Sequence, residues 1–399
     1  MQPKIAFVYD WFDTPLGGAE RVLQEFHKLY PDAPWYTSHI DPQATEWAKD
    51  WDVRTSFLQH FPRWFRRNRL LSLLLIPFAF ESFDMSSYDV VISVSSAFAK
   101  GVVTQTHTKH ICYLLTPARW LYNFQFSSFA GQAIFNFQIF RWIESRLRVY
   151  LQGWDNGAAQ RVDEFISISQ EVAQRCTEYY GRESEVVYPP FEYEKWENIN
   201  CKSETLNTKS LDSAFNIQHS ALIHFPYYLV VSRLEPYKRV DVAIEAFSIS
   251  NERNEEPKRK LIIVGSGSQK TRLKALSRTL HIADRILWVD GLSDEKLARL
   301  YACKAFIMPQ EEDFGYVACE AVACGAPIVA YAHGGQTEIL ADYPLKILCE
   351  AQSPGVFAQA LEKIGDIRYN AQTYENSHIC RGSRDAFVAA FSQKITQAV

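Results

Sequence analysis

The sequence predicts an α/β protein with two doubly wound domains. Its 399 residues suit two domains. The first apolar run, residues 4–9 (KIAFVY), precedes a glycine loop and a helix-like pattern, and residues 227–232 (YYLVVS) precede a basic loop and another helix-like pattern. A strand, a loop and a helix in this order open a Rossmann-like domain, whose ligands bind at the carboxyl ends of the strands.

The composition is that of a globular protein with a large core. Hydrophobic residues make up 47% of the chain, charged residues 22%, and the net charge of −4 gives no electrostatic reason to expect nucleic-acid binding. The eight cysteines form no C-x-x-C pair or Cys/His cluster, so we expect reduced thiols in a cytoplasmic protein. The chain begins directly with a strand, and its longest apolar run, residues 70–80, is too short to cross a bilayer, so neither a signal peptide nor a membrane span is expected.

The predicted domains are residues 1–195 and residues 226–380, followed by a helix over residues 381–399. Residues 192–219 are polar and low in hydrophobic periodicity, which indicates an interdomain connection, and the linker is predicted at residues 196–225. Further strands are predicted at residues 88–94, 111–113, 164–167, 261–264, 286–289 and 327–331, with helices at residues 154–163, 170–180 and 316–324. Residues 186–190 end the first domain, and residues 305–308 lead into the stretch at residues 308–331.

Residues 308–331 (MPQEEDFGYVACEAVACGAPIVAY) are the most informative stretch. Glu312 and Glu320 are separated by seven residues, which include the loop Phe314-Gly315 and the start of a helix. The free N–H groups of that helix would attract an anion, and Gly315 allows close approach of a ligand. Carboxylates accept hydrogen bonds from sugar hydroxyls, so the stretch suits a nucleotide sugar. The alternative is two acidic residues that flank an ordinary surface helix.

Two cations, Arg233 and Lys238, follow the strand at residues 227–232. Alone, two such charges are more typical of a solvated loop. Next to the anion site predicted above, they would neutralise negative charge that develops on a leaving group. No acidic pair of the D-x-D type follows a strand, and the two cations can supply the electrostatic stabilisation that a metal would give. We therefore expect neither a metal nor another cofactor.

Residues 61–80 (FPRWFRRNRLLSLLLIPFAF) combine four arginines with aromatic and aliphatic residues. This mixture suits a helix that lies on an anionic membrane surface. An amphipathic helix packed on the first domain explains it equally well.

Several motifs resemble retaining glycosyltransferase family 4, which has the GT-B fold. The resemblance rests on residues 308–331, on GGAER at residues 17–21, on SRLEPYKRVD at residues 232–241 and on VVYPP at residues 186–190. The EDFG and VVYPP strings are similar to the mannosyltransferase branch of O-antigen and exopolysaccharide assembly. The resemblance implies two Rossmann-like domains that face each other across a cleft, and a final helix that crosses back to the first domain.

The resemblance also implies roles for individual residues. Arg233, Lys238 and Glu312 would be catalytic, with Glu312 binding the donor sugar rather than attacking it. GDP-mannose would be the first choice of donor, and a glycan or lipid-linked oligosaccharide the acceptor. The implied donor-binding residues are Gly17, Gly18, Gly265, Gly291, Leu292, Phe314, Gly315, Tyr316, Val317 and Glu320.

The implied acceptor or sugar pocket contains Asp10, Leu115, Thr116 and Arg119. The family usually has His-Thr-Pro-x-Arg where this chain has Leu115 to Arg119, and that histidine contacts the donor sugar. The side chain of leucine cannot form a hydrogen bond, so we expect the donor sugar to be held differently here. Two other functions compatible with the sequence are a GT-B sugar-nucleotide epimerase and a non-catalytic nucleotide-sugar-binding protein.

Overall fold

The structure is a computed structural model that describes residues 3–67, 72–122, 138–203, 226–252, 259–364, 379–380 and 382–398. Two compact units divide the chain, one made of residues 1–190 and 384–399 and the other of residues 191–383. The division lies between Pro190 and Phe191, whereas the sequence analysis placed it after residue 195. The predicted linker begins inside the helix Tyr193–Ser203, and residues 204–225 lie outside the described ranges.

The first unit is built on seven parallel strands in the order β3-β2-β1-β4-β5-β6-β7. Continuous apolar runs form these strands because both faces of a parallel sheet are covered, and all five residues of the first strand are buried. The order reverses between β1 and β4, which creates a switch point at their carboxyl ends. The strands are β1 (Ile5–Tyr9), β2 (Trp35–Thr37), β3 (Val53–Thr55), β4 (Val90–Ser95), β5 (Lys109–Leu114), β6 (Glu164–Ser167) and β7 (Glu185–Val186).

Helices cover this sheet, and the last helix of the chain belongs to the same unit. Phe387 and Phe391 of that helix pack against the rings of Phe26 and Tyr113, with ring centroids 4.7–5.5 Å apart. The helices are Gly18–Leu29, Arg63–Arg67, Ile76–Glu81, Arg119–Tyr122, Gln138–Arg161, Gln170–Tyr180 and Ser383–Gln397.

In the described part of the basic and apolar segment at residues 61–80, the structure has the helices Arg63–Arg67 and Ile76–Glu81, with turns at residues 73–75, and residues 68–71 lie outside the described ranges. Leu73, Ile76 and Phe80 are buried in the core of the first unit. Arg63 forms an ion pair of 2.7 Å with Asp41. The segment is therefore partly a packed element of the first unit.

The second unit has six parallel strands in the order β10-β9-β8-β11-β12-β13, which is the strand order of a Rossmann-like sheet. Its switch point lies between β8 and β11. The strands are β8 (Tyr227–Val231), β9 (Lys260–Val264), β10 (Ile286–Val289), β11 (Ala305–Met308), β12 (Ile328–Tyr331) and β13 (Lys346–Cys349). The helices are Tyr193–Ser203, Val240–Glu252, Lys270–Thr279, Asp294–Leu300, Tyr316–Ala323, Gln336–Ile339 and Pro354–Lys363.

Candidate functional site

A Lys–Glu pair occupies the switch point of the second unit. Lys238 follows β8 and Glu312 follows β11, and these two strands are neighbours in the sheet. Lys238 Nζ lies 2.7 Å from each carboxylate oxygen of Glu312. Both side chains are largely buried, with 11% and 17% of their surfaces exposed. Two of the predicted catalytic residues therefore meet where doubly wound folds bind ligands.

Two glutamines that the sequence analysis did not identify hold Glu312 in place. Gln310 Nε2 donates to Glu312 Oε1 at 2.8 Å, and the backbone N–H of Glu312 donates to Gln336 Oε1 at 2.9 Å. Gln336 is completely buried, and its amide donates to the carbonyl oxygen of His333 at 2.6 Å. The oxygen Oε1 of Gln310 is buried and accepts no hydrogen bond from the residues that the structure describes. This orphaned acceptor next to Glu312 is suited to a ligand hydroxyl.

Arg233, the third predicted catalytic residue, is exposed at the rim of this site. Its Nη2 donates to the hydroxyl of Tyr237 at 2.8 Å. The ring of Tyr237 lies 5.2 Å from Lys238 Nζ, measured to its centroid. Tyr237 therefore links the two cations that the sequence predicts to act on one diphosphate.

The helix Tyr316–Ala323 begins directly after the loop that carries Glu312. Gly315 precedes it with φ of +104°, a conformation that favours glycine. A Cβ on Gly315 would lie 3.2 Å from Cβ of Gln336, which is a tight contact, so packing as well as backbone conformation favours glycine here. Phe314 is buried, whereas Tyr316 and Val317 are partly exposed at the first turn of the helix.

Glu320 lies one turn further along this helix and is 2% exposed. It accepts a hydrogen bond of 3.1 Å from the hydroxyl of Tyr301. Burial, followed by the negative charge of Glu320, raises the pKa of Tyr301 well above its usual value, so the phenol stays protonated and donates. The structure thus shows Glu320 engaged with the protein interior, and its role in donor binding stays a prediction.

The other predicted donor-binding residues of this unit lie on loops at the carboxyl ends of the strands. Gly265 follows β9 with φ of +137°, and a Cβ there would lie 2.0 Å from the carbonyl oxygen of Ser232. Gly291 and Leu292 follow β10, and Gly291 has φ of +49° in open space. Gly265 therefore allows two loops to approach each other closely. This close approach accounts for the glycine in the G-S-G turn and does not require a bound phosphate.

In the first unit, the structure corrects the role of Asp10. This residue is 1% exposed, and its carboxylate accepts five hydrogen bonds of 2.6–3.1 Å from the segment that follows β4. The donors are the backbone N–H groups of residues 96–99 and the hydroxyl of Ser96. Two carboxylate oxygens offer about four acceptor positions, so no position remains for a substrate. Asp10 connects β1 to β4 and is not part of a sugar pocket.

The glycine loop of the first unit is fixed by Glu20. The carboxylate of Glu20 accepts hydrogen bonds from the N–H of Gly17, from Thr14 Oγ1 and from the hydroxyl of Tyr9, at 2.8–3.1 Å. Gly18 is the first residue of the helix and is exposed. The GGAER string is thus explained locally by a glutamate that caps its own helix.

The predicted sugar-pocket residues at the end of β5 lie within the five residues that follow this strand. Leu115 is buried, and its N–H donates to the carbonyl oxygen of Ser95 at 2.9 Å. Thr116 and Arg119 are partly exposed, and Arg119 starts a short helix. Their contacts with a sugar stay predictions.

Within the described ranges, no group of three or more His, Cys, Asp or Glu side chains is arranged to hold a metal ion. None of the helices in these ranges has the length and apolarity that crossing a membrane requires.

Comparison with known proteins gives a family match over the second unit. Residues 218–377, less than half of the chain, match the family described as glycosyl transferases group 1. The chain is 35% identical over 147 residues to D-inositol 3-phosphate glycosyltransferase of Acidothermus cellulolyticus, covering 35% of this chain and 33% of that protein. It is 31% identical over 139 residues to N-acetyl-alpha-D-glucosaminyl L-malate synthase of Bacillus anthracis, covering 34% and 35%. Each match thus spans about a third of the relative's length.

Solved structures resemble the chain over nearly its whole length. Anabaena HepE in complex with UDP-glucose has a TM-score of 0.62 at 17% identity, covering 98% of both chains. WaaG, a glycosyltransferase involved in lipopolysaccharide biosynthesis, has a TM-score of 0.62 at 17% identity, covering 98% of this chain and 96% of that one. At such identities the likeness shows the fold alone. The predicted GT-B class of two Rossmann-like units is therefore confirmed, and residues 218–377 match the glycosyl transferases group 1 family.

Proposed function

We propose that the chain is a retaining glycosyltransferase that moves a hexose from a nucleotide sugar to a hydroxyl of a glycan or lipid-linked acceptor. Mannose from GDP-mannose is the first choice, and cell-surface polysaccharide synthesis is the proposed context. The observation that carries the proposal is the Lys238–Glu312 pair at the switch point of the second unit.

The pair supplies both kinds of contact that a nucleotide sugar needs. The ammonium of Lys238 has three N–H donors, of which two point at Glu312, so one remains for a phosphate oxygen. Negative charge builds on the diphosphate as the bond to the sugar breaks, and a buried cation stabilises it. Glu312 and the orphaned Oε1 of Gln310 are acceptors suited to sugar hydroxyls.

The relatives support glycosyl transfer as the class of reaction more firmly than they support any particular donor sugar. HepE was solved with UDP-glucose, and the bacterial relatives are named D-inositol 3-phosphate glycosyltransferase and N-acetyl-alpha-D-glucosaminyl L-malate synthase. The EDFG and VVYPP strings favour GDP-mannose. A donor panel must therefore contain GDP-mannose, UDP-glucose and UDP-N-acetylglucosamine.

The test is a product analysis of the purified chain with this donor panel and a set of methyl glycosides and lipid-linked glycans. We expect release of nucleoside diphosphate and a new glycosidic bond whose anomeric configuration, read by NMR, matches that of the donor. Glu312→Ala should lose this activity. Lys195→Ala, which removes an exposed ion pair with Asp294, is the matched control and should keep it.

The same assay separates the two other functions. An altered free nucleotide sugar without transfer identifies an epimerase. Saturable binding of a donor without turnover, in the presence of every acceptor, identifies a nucleotide-sugar-binding protein. A product whose anomeric configuration is inverted relative to the donor contradicts the retaining mechanism but still supports a glycosyltransferase.

Peripheral contact with an anionic membrane, on its cytoplasmic face, is part of the proposal. Within residues 61–80, Trp64, Leu74 and Phe78 are exposed by 67%, 52% and 54%. Large apolar side chains this exposed are suited to insertion between lipid headgroups. Arg63 and Arg66 are engaged with protein oxygens, so the apolar side chains support the proposal better than these two arginines do.

A further inference from the structure

Arg239, the residue directly after Lys238, has an unfavourable backbone conformation. Its φ is +48° and its ψ is +36°, in the left-handed region. Among the residues that the structure describes, His281 is the only other non-glycine residue with a positive φ. A Cβ raises the energy of this conformation, and residues that keep it are concentrated at functional sites. Glycine would suit the backbone at position 239 better, so an arginine there indicates a role for its side chain.

The side chain of Arg239 reaches a loop that follows another strand. Its Nη1 donates to Oε1 of Gln352 at 3.2 Å, and its Nε donates to Oδ1 of Asp241 at 3.3 Å. Asp241 is two residues away in the chain, so this contact is local. Gln352 follows β13 and is 113 residues away, so the other contact joins two distant segments.

Gln352 extends this connection to the loop that carries Glu312. Its Nε2 donates to the carbonyl oxygen of Pro309 at 2.8 Å. The two partners fix the orientation of the amide of Gln352, because a guanidinium only donates and a carbonyl oxygen only accepts. Pro309 directly precedes Gln310, whose side chain donates to Glu312. The loop after β11 is thus tied to Arg239 through one glutamine.

These contacts close a ring around the Lys238–Glu312 pair. The peptide bond joins Lys238 to Arg239. Gln352 and residues 309–312 join Arg239 to Glu312. Two hydrogen bonds of 2.7 Å join Glu312 back to Lys238. We propose that Arg239 is a positioning residue, which acts through Gln352 to hold Lys238 in its place opposite Glu312.

A positioning residue is useful here because a lysine is a point charge on a flexible stem. A cation whose place is fixed in advance stabilises a leaving group without reorganisation at the moment of reaction. The inference rests on the proposed function, in which Lys238 stabilises the leaving diphosphate. Neither a proton transfer nor a contact with the donor is assigned to Arg239.

The first test compares crystal structures of the wild-type chain and of Arg239→Gly. In the variant, we expect Lys238 Nζ to lie beyond hydrogen-bond distance of at least one carboxylate oxygen of Glu312. His281→Gly is the matched control, because it makes the same change at the other left-handed residue, which is exposed and precedes β10. It should keep the wild-type pair. The same Lys238–Glu312 geometry in the wild type and in Arg239→Gly overturns the inference.

Kinetics with a donor that the wild type accepts give a second readout. Arg239→Gly and Gln352→Leu should each lower kcat about tenfold or more and leave the donor KM within about twofold, because positioning acts on the transition state. The double variant should lose no more than the larger single effect, since both residues belong to one connection. His281→Gly should keep the wild-type kcat within about twofold.

Two kinetic results contradict the positioning role. A raised donor KM at unchanged kcat in Arg239→Gly would mean that Arg239 binds the donor directly, which overturns the inference. Wild-type kinetics in both Arg239→Gly and Gln352→Leu overturn it as well, and leave the transferase intact.

Urea denaturation separates positioning from a general loss of structure. Arg239→Gly relieves the left-handed conformation but gives the unfolded chain more freedom, and these effects oppose each other, so the midpoint should stay near that of the wild type. A lower kcat that appears only together with a lower midpoint, in both Arg239→Gly and Gln352→Leu, overturns the inference. A displaced Lys238 in Arg239→Gly crystals, in a chain that transfers no sugar, supports the inference and contradicts the proposed function.

Discussion

Lys238 and Glu312 depend on one another at the level of single residues. Each neutralises a charge that would otherwise be largely buried, and breaking such a pair from one side leaves the other charge without compensation. The geometry also restricts what each can do, because Gln310 fixes one carboxylate oxygen of Glu312. The pair is therefore preorganised before a ligand arrives, which is the condition for efficient electrostatic stabilisation of a leaving group.

Lys238→Ala should reduce turnover by about 30- to 1000-fold. The loss of one charge-assisted contact in a desolvated site costs roughly 2–4 kcal/mol. The measurement is kcat/KM with a verified donor, with circular dichroism to establish that the variant is folded. Lys195→Ala should remain within about twofold of wild type, because its ion pair is exposed and such pairs contribute little. Near-wild-type activity of Lys238→Ala would show that Lys238 has no role in donor binding or catalysis.

Leu115→His should change the preference between GDP-mannose and its deoxy analogues. A leucine leaves a neighbouring sugar hydroxyl without the hydrogen bond that a histidine gives, so the wild-type chain should tolerate a deoxy donor better than the variant. Direct competition between the two donors measures the ratio. An unchanged ratio would mean that Leu115 does not face the sugar.

Among the elements, the central strand β5 contains a buried histidine that links folding to pH. His110 is fully buried, and its Nε2 lies 2.8 Å from Ser93 Oγ on the adjacent strand β4. Burial lowers the pKa of His110 from 6.5 to about 4. Two smaller effects act on the same pKa: the negative charge of Asp163 raises it, and the positive charge of Arg161 lowers it. The folded chain thus binds fewer protons than the unfolded chain between these two pH values.

We expect the stability contribution of this neutral histidine to be complete above about pH 6.5 and to be lost as the pH falls towards 4. The change in pKa corresponds to roughly 3 kcal/mol over that range. His110→Gln, which keeps a side-chain amide near Ser93, should flatten the dependence of unfolding free energy on pH, measured by urea denaturation. The exposed His60→Gln is the control. Equal slopes for wild type and His110→Gln would contradict the assignment.

Two glycines at the ends of neighbouring strands β9 and β10 allow a matched comparison. Gly265→Ala should destabilise the chain by about 3 kcal/mol or more, because the new Cβ meets the carbonyl oxygen of Ser232 at 2.0 Å. Gly291→Ala should lower the free energy of unfolding by about 1 kcal/mol. The new Cβ meets no other atom, and the only cost is the left-handed backbone conformation at this position. Urea denaturation followed by tryptophan fluorescence measures both, and similar losses would show that the backbone approach at Gly265 is unimportant.

At the scale of the whole molecule, the sequence predicts the bounds of individual strands better than it predicts which strands and side chains lie next to one another. The strands Glu164–Ser167 and Ile286–Val289 were predicted with the bounds that the structure has, because a buried parallel strand is a mostly apolar run. Lys238 and Glu312 were identified as charged residues after strands, but their pairing depends on β8 and β11 being neighbours in the sheet. Strand order is a property of the whole sheet that local patterns do not contain.

The same reason explains the residues that were missed or misassigned. Asp10 has the position of a ligand-binding carboxylate, yet its hydrogen-bond donors come from residues 96–99, far along the chain. Gln336 and Tyr301 contact Glu312 and Glu320 through the folded sheet, and an isolated glutamine or tyrosine gives no signal in a sequence. The two glycines before Gln336 gave a partial indication that two backbone segments approach closely there. A Cβ on Gly335 would lie 2.3 Å from the carbonyl oxygen of Asp313.

The exposed apolar side chains of the segment at residues 61–80 lead to a prediction about the location of the whole molecule. Replacing Trp64, Leu74 and Phe78 together by serine should reduce binding to vesicles of anionic phospholipid by about 100-fold or more. Burial of a large apolar side chain contributes roughly 1.5–3 kcal/mol, so even partial insertion of three such side chains exceeds that factor. Vesicle co-sedimentation measures the effect, with neutral vesicles for comparison.

The matched control is Val149→Ser, which changes a side chain 64% exposed on the helix Gln138–Arg161 of the same unit. It should bind as the wild type does. Charge reversal at Arg63 is a poor test, because it also breaks the ion pair with Asp41 and places a second negative charge beside that largely buried carboxylate. Equal vesicle binding by the triple variant and the wild type would mean that these three side chains do not contact lipid, and that residues 61–80 serve only to pack the first unit.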